Sequence, residues 1–226
     1  MIATTPTAAP DIVETATPVA GSPRFRVAVW ADGPGQWQFG DLHAAASGYR
    51  EGQAIPFLLR IDDVSLGGVY RISLRYDCGA DGSGAFDFLT GYGRDARSEL
   101  ALAEEGPGLA IPDATVPVPD DPAIGIDDSD REGDRLFRLW GASFDSELNG
   151  PAPDARCRKD KLVGLTVRVY APTVYLLWGG HLASSADWGE GQGAASGDSP
   201  FQMKVGVPGV APESLRLEID PGAVSP

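Results

Sequence analysis

Residues 69–77 alternate apolar and polar side chains without a break, and nothing else in the chain restricts its fold as tightly. Tyr70, Ile72, Leu74 and Tyr76 fall on one side, Arg71, Ser73 and Arg75 on the other. A period of two sends successive side chains to opposite faces, so only an extended strand can bury one set and wet the other. Residues 54–61 place Phe57, Leu59 and Ile61 together, and residues 214–220 do the same with Leu215, Leu217 and Ile219. Further runs at 25–30, 36–39, 135–141, 162–170, 173–178 and 201–207 also read as strands. Gly and Pro supply 29 and 19 residues, so turns are frequent and long helical periodicity is missing. Residues 95–104 form the one short helix expected. About nine strands with uneven loops predict an all-β chain, a two-sheet β-sandwich of Greek-key, immunoglobulin-like or jelly-roll-like type. Residues 24–226 read as a single domain with a Pro/Asp-rich excursion at 105–134, preceded by an extended tail or linker at 1–23.

Three details of connection can be anticipated. Gly67-Gly68 between two strand runs is a hairpin signal that needs positive φ. The apolar run of residues 174–178 meets Gly179-Gly180, which predicts a core strand breaking into a shaped loop. Residues 139–146 repeat the Leu-Trp-Gly pattern of residues 177–184, so two strands are expected to end in related corners.

The formal charge of −14 and pI near 4.4 oppose binding to nucleic-acid phosphates or an anionic bilayer and make cations the better small partners. No apolar run reaches the length of a membrane span, so membrane insertion is not expected. The first residues lack the charged and apolar regions of a signal peptide; an exported chain would have lost its signal or use another route. Lysine occurs only at Lys159, Lys161 and Lys204 among 18 basic residues, and Asn149 is the sole asparagine, a bias expected of GC-rich coding. Cys78 and Cys157 have no CxxC or CxxxH company, which argues against zinc. A long-range disulfide and two buried thiols both fit; an extracellular setting would favour the disulfide.

Asp128, Asp130, Glu132 and Asp134 space carboxylates at alternate positions around Gly133, as a calcium loop does, although the twelfth position holds Leu139 instead of a bidentate Glu. A solvated acidic loop fits the same residues. No other cofactor is implied. Asp77, Asp87, Asp187 and His181 sit beside aromatics, where carboxylates accepting backbone N–H groups would shape turns. With only His43 and His181, no GxSxG elbow and no HExxH, triad and zinc-hydrolase chemistry lack their parts, so the chain is not expected to be an enzyme. A paired-carboxylate glycosidase stays open on 32 acidic residues. The tryptophans, Trp30, Trp37, Trp140, Trp178 and Trp188, fit either a sandwich core or a sugar-stacking surface. Residues 189–193 read as a flexible Gly-rich connector.

Several segments occur together: Gly40-Asp41-Leu42, residues 47–52, Ile55-Pro56-Phe57, Tyr76-Asp77, the Phe-Asp-Phe-Leu-Thr of residues 86–90, Pro119-Asp120-Asp121-Pro122, Leu139-Trp140-Gly141, and Trp178-Gly179-Gly180-His181 through Asp187-Trp188-Gly189 to residues 199–203. In this order they resemble an uncharacterised family of β-rich domains, often repeated, in large secreted and cell-surface proteins of bacteria. The resemblance spans residues 37–205. It implies an extracellular, structural or adhesive role and carries no known activity. That family often has cysteines after the Phe-Leu-Thr segment, where residues 99–112 here have none, so any disulfide is judged on this chain alone. The expectation is a non-enzymatic surface protein, a filament or sheath subunit that adds its N-terminal tail as a strand to a neighbouring copy, or one that binds other surface proteins. The alternative is a calcium-dependent carbohydrate-binding module that takes glycans.

Overall fold

A computed structural model describes residues 21–80, 83–92, 111–121, 135–146, 148–151 and 160–226. The chain begins with β1 (Arg24–Ala31), β2 (Gln36–Phe39), β3 (Tyr49–Arg50), β4 (Ala54–Asp62) and β5 (Val69–Asp77). It continues through β6 (Gly79–Ala80), β7 (Ser83–Gly84), β8 (Phe86–Thr90), β9 (Ala114–Pro117), β10 (Leu136–Trp140), β11 (Ala142–Phe144) and β12 (Asp160–Val169). Then come β13 (Thr173–Leu182), a one-turn helix α1 (Ser185–Trp188), β14 (Phe201–Gly206), β15 (Ser214–Ile219) and β16 (Val224–Ser225).

Twelve of these strands build two antiparallel sheets, while β6 with β7 and β3 with β16, the last pair parallel, form separate two-stranded ladders. The first runs β2-β1-β4-β13-β10-β9, and β8 shares the β13 edge with β10, pairing residues 179–182 where β10 pairs 175–177. The second runs β11-β12-β5-β14-β15. The chain is therefore an all-β sandwich. In the second sheet the expected alternation holds: Ile72, Leu74 and Tyr76 of β5 face inward with Val163, Leu165 and Val167 of β12 and Met203 and Val205 of β14. The first sheet supplies Phe57, Leu59 and Ile61 of β4 opposite Trp178, Leu176 and Val174 of β13. Phe57 stacks on Trp178 at 5.6 Å, and Phe86 meets Phe201 of the second sheet edge-on at 5.0 Å. β4 and β13 are also buried on their other side, where Leu58 and Leu177 lie opposite each other, so they read as continuous apolar runs.

Three expectations about connections are corrected. Gly67-Gly68 does not close a hairpin, because β4 pairs with β1 and β13 while β5 pairs with β12 and β14. The turn instead carries the chain from one sheet to the other and is pinned by Val64 and Gly67 N–H donating to the carbonyls of Pro172 and Val169. Gly179-Gly180 does not end its strand, since β13 runs on to Leu182. These glycines are clearance for packing: a Cβ on Gly179 would lie 2.4 Å from the Gly91 carbonyl, and one on Gly180 2.7 Å from the Phe86 ring. The corners after Trp140 and Trp178 are consequently unrelated, for at Gly141 (φ 75°) the chain leaves the first sheet to enter β11 in the second. The helix expected at 95–104 lies outside the described residues, as do residues 1–20 of the tail and residues 105–110 and 122–134 of the excursion.

Candidate functional site

The residues around β13's C-terminal half form the first polar constellation. β8 pairs with β13 and sets Phe88 beside His181, with the rings stacked at 4.4 Å. A register shift between His181 and Leu182 lets Asp87 turn into the interior, where it is completely buried. Its carboxylate accepts His181 Nδ1 at 3.0 Å and Trp188 Nε1 on its other oxygen. A carboxylate offers no donor here, so His181 presents Nδ1–H to it. Asp187 does not join this group; it closes the N-terminus of α1 by accepting the Ser184 hydroxyl at 2.6 Å while its own N–H donates back to Ser184 Oγ.

Glu51 braces the next loop, a role that reading the sequence missed. Its two carboxylate oxygens accept the Ser185 and Ala195 N–H groups at 2.8 and 3.1 Å. Residues 189–193 are thus held as a shaped turn instead of the flexible connector expected, and Gly193 is required there because a Cβ would fall on the Glu51 carboxylate. The only signal in the sequence was Glu51's place within the segment 47–52.

A second buried constellation lies deeper in the second sheet. β12 and β5 set Lys161 opposite Tyr76 on the inner face, and the segment following β9 brings in Asp121. Lys161 Nζ pairs with Asp121 Oδ2, the two side chains being 5% and 2% exposed. Tyr76 donates its hydroxyl to the same oxygen at 3.2 Å. Burial above all, then the charge and hydrogen bond of Asp121 and the charge of Asp87, push the Tyr76 hydroxyl far above the ordinary tyrosine range, against a smaller pull from Arg135. Asp121 belongs to the Pro119-Asp120-Asp121-Pro122 segment and Lys161 is one of three lysines, but nothing in either stretch links the two residues to each other.

Asp77 stands apart from Asp87. It lies at the end of β5 in a depression on the outer face of the second sheet, with Arg75, Asp160 and Lys204. There the register places Arg75, Lys204 and Arg216 directly opposite one another across three neighbouring strands. Arg75 pairs with Asp160 at 2.7 Å and Arg216 with Glu218 at 2.9 Å. Among the described residues Lys204 has no ion pair.

Trp30, Trp37, Trp140 and Trp178 are buried and Trp188 is half-buried, which removes four of the five from any sugar-stacking surface. Asp128, Asp130, Glu132 and Asp134 lie outside the described residues, and among the described ones no three His, Cys, Asp or Glu side chains converge as metal ligands. Cys78 is in the core and is not a free thiol, while Cys157, the other cysteine of the candidate disulfide, lies outside the described residues. No described helix is long and apolar enough to cross a membrane. No family model matches the chain, and the searches of curated proteins and of solved structures returned no match. What the structure defines is the class: a two-sheet antiparallel β-sandwich whose motif residues make internal contacts.

Proposed function

We propose that this protein is a non-enzymatic extracellular surface subunit, structural or adhesive, that assembles with copies of itself. The observation that supports this reading is where the motif carboxylates are used. Asp87, Asp187 and Glu51 bind a ring nitrogen pair, a helix start and two backbone amides, all groups of the chain itself, and no hydroxyl or thiol is hydrogen-bonded to His181 among the described residues. A hydrolytic site would need such groups converging on one cleft. The sheet edges left for an incoming strand are short: β2 and β9 have four residues, β11 three and β15 six. Leu42 bridges Ile219 and covers one end of β15, which leaves few positions where an added strand can pair.

The test is electron microscopy and size-exclusion chromatography of the purified chain, with and without calcium. Ordered filaments or sheets are expected. Deleting residues 1–20 retains Pro23, whose carbonyl accepts the Ala211 N–H, so the fold should persist while the polymers disappear. Assembly unchanged by the deletion would refute strand addition by the tail.

One observation favours a second reading, glycan binding. Like charges directly opposite on neighbouring strands are destabilising, yet this acidic chain aligns Arg75, Lys204 and Arg216 beside the Asp77 depression of about 290 Å³. An acidic polysaccharide is the glycan such a row would take. An array of carboxylated and sulfated glycans, probed with and without calcium, tests it; binding that survives Lys204→Glu would rule this face out.

A further inference from the structure

The Lys161–Asp121 pair has a property that an ordinary salt bridge does not need. Burying two opposite charges costs desolvation that their attraction only partly repays, and a dry pair is relieved when a proton passes between its members. Where evolution needs a permanently charged buried cation, the guanidinium serves best, because it stays protonated and binds carboxylates in a fork. Fifteen of the 18 basic residues in this chain are arginine, so the lysine at 161 stands out. What lysine offers there is an amine that can lose its proton and become a nucleophile.

We propose that Lys161 and Asp121 condense to an intramolecular amide, a covalent cross-link between β12 and the segment that follows β9. The parts needed are in place. Nζ and the carboxyl group are in direct contact, both side chains are almost completely excluded from water, and the Tyr76 hydroxyl donates to the carboxyl oxygen. The surrounding inner face is apolar, with Val163 next along β12 and Met203 across from Tyr76 on β14.

The chemistry balances without any outside reagent. A proton passes from the Lys161 ammonium to the Asp121 carboxylate, giving a neutral amine beside a neutral acid. The Nζ lone pair attacks Cγ, and the new C–N bond forms as the carbonyl oxygen takes up charge, which the Tyr76 O–H stabilises. The tetrahedral carbon then expels its other oxygen, protonated by the nitrogen's departing hydrogen, as water. Nothing is oxidised or reduced. Fixed proximity replaces the activation that amide formation needs in solution; effective molarities of well-oriented intramolecular pairs reach about 10⁵–10⁸ M. The bond would close a loop across 40 residues and fix the excursion to the sandwich.

This inference is independent of the surface-subunit reading and fails separately from it. Intact mass of the purified, reduced and denatured chain should fall one water below the mass of its sequence after N-terminal processing. Proteolysis should release a branched peptide joining the segments that contain Asp121 and Lys161. Lys161→Arg should restore the full mass, and Asp121→Asn should lose ammonia in place of water. Full sequence mass in the folded wild-type protein, with linear peptides through both residues, would overturn the proposal and leave a buried ion pair. The wild-type measurement decides this even where a variant does not fold.

Discussion

Asp87 allows the clearest test of the internal-brace reading. Replacing it by Ala strands two donors in the interior, His181 Nδ1 and Trp188 Nε1, and empties a site that is fully buried. A hydrogen bond to a charged group contributes about 1.5–3 kcal/mol, and leaving a buried partner unsatisfied adds to the loss. Two such bonds, with partial rescue because His181 keeps 12% side-chain exposure, give a cost of about 3–4 kcal/mol. For a chain of this size that is roughly 6–16 °C in Tm at about 2–4 °C per kcal/mol. Asp87→Asn should behave differently. Its oxygen can still accept Trp188 Nε1, and its amide can donate to His181 Nδ1 once the imidazole moves its hydrogen to Nε2, so about 1 kcal/mol is expected. Equilibrium urea unfolding followed by tryptophan fluorescence, with unchanged slopes across the set, gives both values. Equal losses for Ala and Asn, or less than about 1 kcal/mol for Ala, would refute the claim that this carboxylate holds β8, β13 and α1 together.

Gly179→Ala, whose Cβ would press on the Gly91 carbonyl, should cost about 1–3 kcal/mol in the same assay, whereas Gly164→Ala, with nothing nearer than 3.6 Å, should stay within about 0.5 kcal/mol. Glu51→Ala should expose residues 189–193 to limited proteolysis at protease levels that leave the wild type intact, because two amide partners are lost. Stability should also fall as pH rises through about 10. Tyr76 stays protonated in the folded state while the unfolded chain ionises there, so its contribution is complete below the unfolded value and is lost above it. Denaturant titrations between pH 8 and 11 should show this slope in the wild type and a shallower one in Tyr76→Phe.

The strand content was legible because side-chain period is a local property. β2 and β5 fall on the residues expected, and β1, β4, β12, β14 and β15 differ by a residue or two at their ends. The misreadings arose where the outcome depends on distant residues. Glycines at 179 and 180 look like a strand break until Gly91 and Phe86 are seen to fill the space their missing side chains leave. A Gly-Gly between two strands looks like a hairpin until each strand finds better partners elsewhere, β5 with β12 and β14. Asp87 and His181 were singled out by their neighbours, but that they touch each other and Trp188, while Asp77 faces the opposite surface of the other sheet, came only from the register shift in β13.

By itself, then, the sequence determined the class of fold, since alternation of period two and frequent turn residues admit little besides stacked antiparallel strands. The tertiary structure decided which strands meet and which polar side chains share a buried site. Lys161 and Asp121 are far apart along the chain and nothing local links them, so only the pairing of β12 with β5, and the return of the chain after β9, could bring the amine to the carboxyl group.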